Sequence, residues 1–300
     1  MKNKAWIGVA SFFVSMSLVI LVALVFFGDQ IDSLDAKFYE TQTQTTIEET
    51  TKETTTVVTT TEPETETTTE IETTTIISQR PAYSGNDEKL VAFTFDDGPS
   101  PTITPQILDL LERYDSRATF FVLGNMVSGK DYIFDRMISL GCEIGNHSNS
   151  HRDFEELEED EIKADFEASQ RIIRSVSGVE PELFRVPYGD RTPKILSSID
   201  APLVYWSIDT LDWDKKDKPD VVRTEEQRNA DIKKIYDGVI NYVQPGDIVL
   251  MHDLYQITVD AFEDIIETLT QDGWKLVTVS ELYEARGYEL RKGVANRCAR

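Results

Sequence analysis

The feature that most constrains this chain is an alternation that begins near residue 88. Short apolar runs rich in Val, Ile and Phe lie at 90–95 (LVAFTF), 118–123 (ATFFVL), 142–146, 183–186, 203–208 (LVYWSI), 247–251 (DIVLM) and 275–279 (KLVTV). Between them the spacing predicts helices over 104–114, 130–140, 158–177, 226–243 and 258–272. A run that is apolar throughout suits a strand covered on both faces, and an intervening helix carries the chain back to start the next strand parallel to the last. The expectation is a set of parallel βαβ units, either a barrel-like α/β domain or a doubly wound open sheet. In both, ligands gather at the C-terminal ends of the strands.

What precedes residue 88 has a different texture. Residues 6–27 form a stretch of 22 residues without a charge, preceded by Lys2 and Lys4 and followed by Asp29, Asp32 and Asp35. About 20 apolar residues suffice for a helix to cross a bilayer, and flanking lysines favour the cytoplasmic side. The reading is a cytoplasmic N-terminus (1–5) and an uncleaved transmembrane signal-anchor helix (6–27), with everything after it outside the membrane. A cleaved signal peptide is the rival, but such peptides have shorter apolar cores and small residues at the cut. Residues 41–75 hold 19 Thr and 8 Glu among 35 positions, with no Gly and no aromatic residue. Such a segment cannot bury enough apolar surface to offset its ordering entropy, so 28–85 reads as a disordered, charge-extended stalk.

Acidic residues outnumber basic ones 54 to 30, for a net charge of −24. That balance argues against a nucleic-acid partner, because affinity for phosphate backbones comes from clustered Lys and Arg. Two cysteines, Cys142 and Cys298, are too few for a disulfide framework or a four-thiolate zinc site. Cys142 is expected to be a buried free thiol, with a bridge to Cys298 as the lesser alternative. The chain has three histidines, His147, His151 and His252, so the position of each carries information.

All three follow apolar runs. The first run leads into Asp96-Asp97-Gly98-Pro99, and paired carboxylates at the end of a buried strand are costly unless used; alone, they could be a solvated turn. The third leads into Asn146-His147-Ser148-Asn149-Ser150-His151, whose paired histidines either face one metal or are simply loop residues. Asp97 with these two imidazoles is a sensible divalent-metal set that leaves positions open for water and substrate. The fourth leads into Phe184-Arg185-Val186-Pro187-Tyr188-Gly189, where Arg185 either clamps a carboxylate or makes a surface ion pair. The fifth ends in Asp209-Thr210-Leu211-Asp212-Trp213 and the sixth in Leu250-Met251-His252-Asp253. Each could be a satisfied polar terminus on its own. Polar groups at the same end of five of the seven runs point instead to a metal-dependent site.

These residues resemble the NodB-type polysaccharide deacetylases, carbohydrate esterase family 4, over about 88–286. The resemblance rests on TFDDGP at 94–99, HSNSH at 147–151, FRVPYG at 184–189, DTLDW at 209–213 and LMH at 250–252, in the family's order. It implies a distorted (β/α)7 barrel for a domain placed at 86–286; the tail over 287–300, with Arg291, Lys292, Arg297 and Arg300, reads from its own residues as basic and frayed. It implies that Asp97, His147 and His151 hold Zn2+ or another divalent transition metal, and that Asp96 is the general base. His252 would be the general acid. Asp212 would tune that acid, with Asp209 as runner-up because both sit in one motif. Arg185 would orient Asp96, and the Tyr188 backbone N–H would donate to the developing oxyanion. Trp213, Leu250 and Pro187 would wall the acetyl pocket. Val186 and Cys142 depart from the family pattern, and 214–244 looks long and highly charged, which bears on the cleft rim.

The resulting expectation is a membrane-anchored, monomeric catalytic domain that removes N-acetyl groups from a cell-envelope polysaccharide, peptidoglycan N-acetylglucosamine first. Alternatives are chitin-type oligosaccharide, poly-N-acetylglucosamine, N-acetylmuramic acid or O-acetylated xylan as substrate, and a non-catalytic glycan-binding module.

Overall fold

The computed structural model describes residues 89–215 and 223–300. The expected anchor and stalk, and residues 216–222 of the 214–244 segment, lie outside the described residues. Among the described residues no helix is long and apolar enough to cross a membrane.

The first strand, β1 (Leu90–Asp96), is buried along its whole length, as a strand covered on both faces must be. It is followed by α1 (Thr104–Arg113), β2 (Thr119–Val122), α2 (Asp131–Ser139), β3 (Glu143–Asn146) and α3 (Glu159–Ser177). Then come α4 (Pro193–Ser198), β4 (Leu203–Val204), β5 (Ile208–Asp209), α5 (Glu225–Ile240), β6 (Ile248–His252), α6 (Gln256–Gln271), β7 (Lys275–Val277), α7 (Val279–Ala285) and β8 (Ala295–Asn296). The five anticipated helices are α1, α2, α3, α5 and α6. Their ends carry local signals: a Glu158–Glu161 capping box starts α3 and Gly178, at φ 72°, ends it in the left-handed region. The helices α4 and α7 are too short to leave a periodic pattern.

Among the described residues the pairings between named strands are all parallel; the main sheet runs β3-β2-β1-β6-β5, and β4 pairs with β8. Beyond β3 the extended segment around Phe184 takes the next place, bridging Asn146 on one side and Leu203 on the other. Leu203 and Ile208 belong to one continuous stretch, so the 203–209 segment joins both ends of the series and closes it into a ring. The ring is distorted in two places. The 203–208 run divides into β4 and β5 because Tyr205 turns its N–H to Asn296 O at 2.8 Å. The seventh strand gains no place of its own: β7 pairs with Leu90–Ala92 on the edge of β1 that β2 uses at Thr94–Asp96.

Phe93, Phe95, Phe120 and Phe262 pack ring on ring at 5.2–5.3 Å between β1, β2 and α6, and they anchor the main core. Cys142 packs against this core half-buried rather than fully buried, and neither cysteine forms a disulfide.

The C-terminal segment is not frayed. Asn296 is buried, its side-chain amide donates to Leu203 O at 3.0 Å, and Ala299 N donates to Gly246 O at 2.8 Å. Arg300 pairs with the buried Asp247 at 3.1 Å. The strand starts leave carbonyl groups and a carboxylate that need partners, and a short peptide strap meets that need.

Candidate metal centre and active site

The polar residues named from sequence converge at the C-terminal ends of the ring strands. Asp96 ends β1 and Asp97 begins the turn after it with φ at 74°. A left-handed residue at this point aims adjacent carboxylates in different directions. Asp96, 3% exposed, meets Arg185, whose Nη1 donates to Asp96 Oδ1 at 2.8 Å and to Thr94 Oγ1 at 2.7 Å.

Arg185 is therefore no surface residue. It is fully buried, donates through Nε to Val204 O (3.1 Å) and through Nη2 to Tyr205 O (3.2 Å), and lies 4.2 Å from the Phe121 ring centroid. Burial draws its pKa down, and the charge of Asp96 is the chief influence opposing this.

Asp97 turns toward the histidines. Its Oδ1 lies 3.4 Å from His147 Nε2 and 3.3 Å from His151 Nε2. One ligand atom from each of Asp97, His147 and His151 lies within 4.8 Å of the others. His147 Nδ1 is 2.8 Å from Arg185 O, which can only accept, so Nδ1 carries the proton and Nε2 presents its lone pair to the cluster. The loop to His151 is held by Ser148 N donating to Asn146 Oδ1 and His151 N donating to Ser148 Oγ. Ser148 and His151 have φ at 76° and 56°.

Burial alone would raise the Asp97 pKa, but the His147 imidazole, with His252 and His151 beyond it, brings it down to about 2. Burial lowers the His151 pKa, and the neighbouring His147 adds to that. For His147, burial is outweighed by Asp96 and Asp97, and its pKa rises. Asp97 Oδ1 is buried and accepts no hydrogen bond within the protein. A buried carboxylate oxygen facing two imidazole nitrogens fits a divalent transition cation.

His252 ends β6, beside Asp96 in the register of β1 and β6. Its Nδ1 is 2.8 Å from Asp212 Oδ1 and its N–H donates to Asp212 Oδ2 at 2.8 Å. Thr258 Oγ1 and Trp213 N also donate to Asp212, which is fully buried. Burial opposes the charge on His252, but Asp212 outweighs it and raises the pKa to about 9. Asp209, the other carboxylate of this motif, instead accepts from Leu211 N at 2.9 Å.

Around this centre Pro187 and Leu250 are buried, while Tyr188 is 66% and Trp213 43% exposed. Tyr188 has φ at 59°, and its ring meets the His151 ring edge-on at 4.6 Å. Thr258 was not singled out from sequence; its only signal is a threonine in the first turn of α6, one turn beyond the LMH motif. Asp253 is likewise buried close to the centre. It was visible only as the residue after His252.

The family model described as polysaccharide deacetylase matches residues 84–202. A peptidoglycan-N-acetylglucosamine deacetylase of Bacillus cereus is 35% identical over 66% of this chain and 89% of its own length. This chain belongs to the polysaccharide deacetylase family. Another relative, the peptidoglycan-N-acetylmuramic acid deacetylase PdaC of Bacillus subtilis, is 38% identical over 67% of this chain but only 40% of that longer protein. Among solved structures, a family 4 acetyl xylan esterase from Clostridium thermocellum, in complex with a cobalt ion, has a TM-score of 0.62 at 31% identity, covering 70% of this chain and 98% of that one. The parallel α/β ring described above is the fold of these polysaccharide deacetylases.

Proposed function

We propose that this polysaccharide deacetylase hydrolyses N-acetyl groups of a cell-envelope glycan, with peptidoglycan N-acetylglucosamine as the favoured substrate. The observation that carries the reading is the placement of two opposed proton carriers beside one ligand cluster. Asp96 and His252 sit side by side at the ends of β1 and β6, and both flank Asp97, His147 and His151.

Asp97, His147 and His151 are the residues that would hold a divalent cation, zinc being the expected ion. Such an ion supplies Lewis-acid polarisation of the acetamide carbonyl and a lowered pKa for water. Asp96 acts as general base. Its Oδ1 is engaged by Arg185, which leaves Oδ2, 3.8 Å from His147 Nε2, to take a proton from the attacking water. His252 acts as general acid. Asp212 fixes its Nδ1–H and favours the imidazolium, leaving Nε2 to give a proton to the departing amine. The Tyr188 backbone N–H serves the oxyanion, and Trp213, Leu250 and Pro187 wall the space for the acetyl methyl. The uncharged 6–27 stretch and the 28–85 segment support a membrane-anchored domain that reaches into the wall.

The identity to a relative named for N-acetylmuramic acid favours that sugar as the second reading. Acetate release by the purified chain, loaded with zinc, should be largest on N-acetylated peptidoglycan in a panel with chitin oligosaccharide and acetylated xylan. Mass spectrometry of the digested product should place the free amine on glucosamine. An amine on muramic acid would select the second reading, and no acetate from any glycan would leave the non-catalytic alternative.

A further inference from the structure

Asp253 follows His252 at the end of β6, is fully buried, and has no part in the chemistry above. Its Oδ2 accepts from the Thr104 hydroxyl, while its Oδ1 is buried with no hydrogen-bond partner. A buried carboxyl satisfied on one side costs free energy unless its position serves something. Its position is against the turn that carries Asp96 and Asp97. A Cβ built on Gly98 would lie 2.1 Å from Asp253 Oδ2 and 2.3 Å from Oδ1, so the carboxyl fills the space that any larger residue at 98 would need.

The two ends of that turn are tied to the same side chain and its backbone. At the near end Asp253 N donates to Asp96 O at 3.3 Å. At the far end Ser100 N donates to Thr104 Oγ1 at 2.7 Å, and the Thr104 hydroxyl in turn donates a hydrogen bond to Asp253 Oδ2. Between these ties stands Asp97 at φ 74°. A non-glycine residue held there is strained and persists only when its surroundings over-determine it. Leu123 N on Gly98 O (2.9 Å) and Lys130 Nζ on Pro99 O (2.9 Å) complete the support. Burial pushes the Asp253 carboxyl up to about 7.

We propose that Asp253 and Thr104 are positioning residues that clamp the 96–100 turn at both ends, so that Asp97 keeps the left-handed conformation that presents its Oδ1 to His147 and His151. The inference rests on the metal-site reading above, and its test separates the two.

The full chain and its Asp253→Ala, Asp253→Asn and Thr104→Val variants are titrated with Co2+ alone, following the visible d–d bands and competition with a chelator. Amide exchange is followed on the metal-free proteins, with thermal melts as a check on folding. Outer-layer partners of metal ligands are worth about 10–100-fold in affinity. Asp253→Ala and Thr104→Val should weaken cobalt binding by about tenfold or more, alter the band shape and speed exchange at the Ser100 amide. Asp253→Asn, which keeps the shape and an acceptor for Thr104, should stay close to the unaltered protein. If Asp253→Ala does not fold, the contrast between Thr104→Val and Asp253→Asn decides. Cobalt binding by Thr104→Val equal to that of the unaltered protein would overturn the proposal, as would loss in Asp253→Asn matching that in Asp253→Ala. Failure of the unaltered chain to bind cobalt would overturn the metal reading and the clamp with it.

Discussion

At the residue scale, the site separates two jobs between neighbours. Asp96 and Asp97 are adjacent, yet one is held by a buried guanidinium and the other faces two imidazoles. Asp96→Asn should therefore abolish acetate release while the protein still binds one equivalent of metal; residual turnover near that of the unaltered enzyme would refute the base assignment. His147→Ala and His151→Ala should instead lose the metal, as read by metal analysis after dialysis. His252 gives a pH prediction with a definite sign. Its pKa in the folded protein, about 9, lies above the ordinary 6.5, so the imidazolium is present at neutral pH and is lost as pH rises through about 9. The acid-dependent rate should fall on that alkaline limb, and Asp212→Asn should move the limb toward lower pH. The stability drawn from the His252–Asp212 pair follows the same sign: it is complete below about 6.5 and fades between about 6.5 and 9. An alkaline limb unmoved in Asp212→Asn would detach His252 from it.

At the element scale, the strands were legible because both of their faces are buried. Runs such as LVAFTF and DIVLM carry that fact without reference to any partner, and the motif residues mark where each strand ends. The helices α1, α2, α3, α5 and α6 were legible from their amphipathic spacing. What sequence did not reveal was conformation at single residues. Asp97, His151 and Tyr188 adopt positive φ, although none of the three is a glycine. The expectation of Asp212 ahead of Asp209 agrees with the structure, but its physical reason, which carboxylate the turn after β5 lays against β6, is not written in the motif. Close packing between elements is testable at Gly145 of β3. A Cβ there would lie 2.5 Å from the Phe121 ring, and that ring also carries the Arg185 guanidinium. Gly145→Ala should cost about 1–3 kcal/mol, seen as a lowered midpoint in urea. It should also reduce activity by displacing Arg185 from Asp96, and an unchanged midpoint would show that the ring has room to move.

At the scale of the whole molecule, closure of the ring depends on long-range contacts that leave no periodic trace. The 203–209 segment is strand to two neighbours, and the C-terminal strap holds it from below through Asn296. Asn296 is buried and also ties Arg291 N and O, so Asn296→Ala should cost about 1–3 kcal/mol through unpaired groups, measured by thermal or urea unfolding. A change within error would mean that the strap is dispensable. The neighbours of β1 have a further consequence for how the protein is made. Asp96, Asp97, His147 and His151 have all been synthesised by residue 151, whereas the β6 strand and the His252 that it sets beside Asp96 follow about 100 residues later. At about 5–20 residues per second, a ribosome leaves an interval of roughly 5–20 s between them. During that interval the nascent chain holds every residue of the metal cluster and the base, but neither the acid nor one of the two flanks of β1. The candidate ligands are thus synthesised before the candidate acid and before the Asp253 that braces their turn, and the unpaired edge of β1 is the surface that must be kept from other chains until β6 arrives.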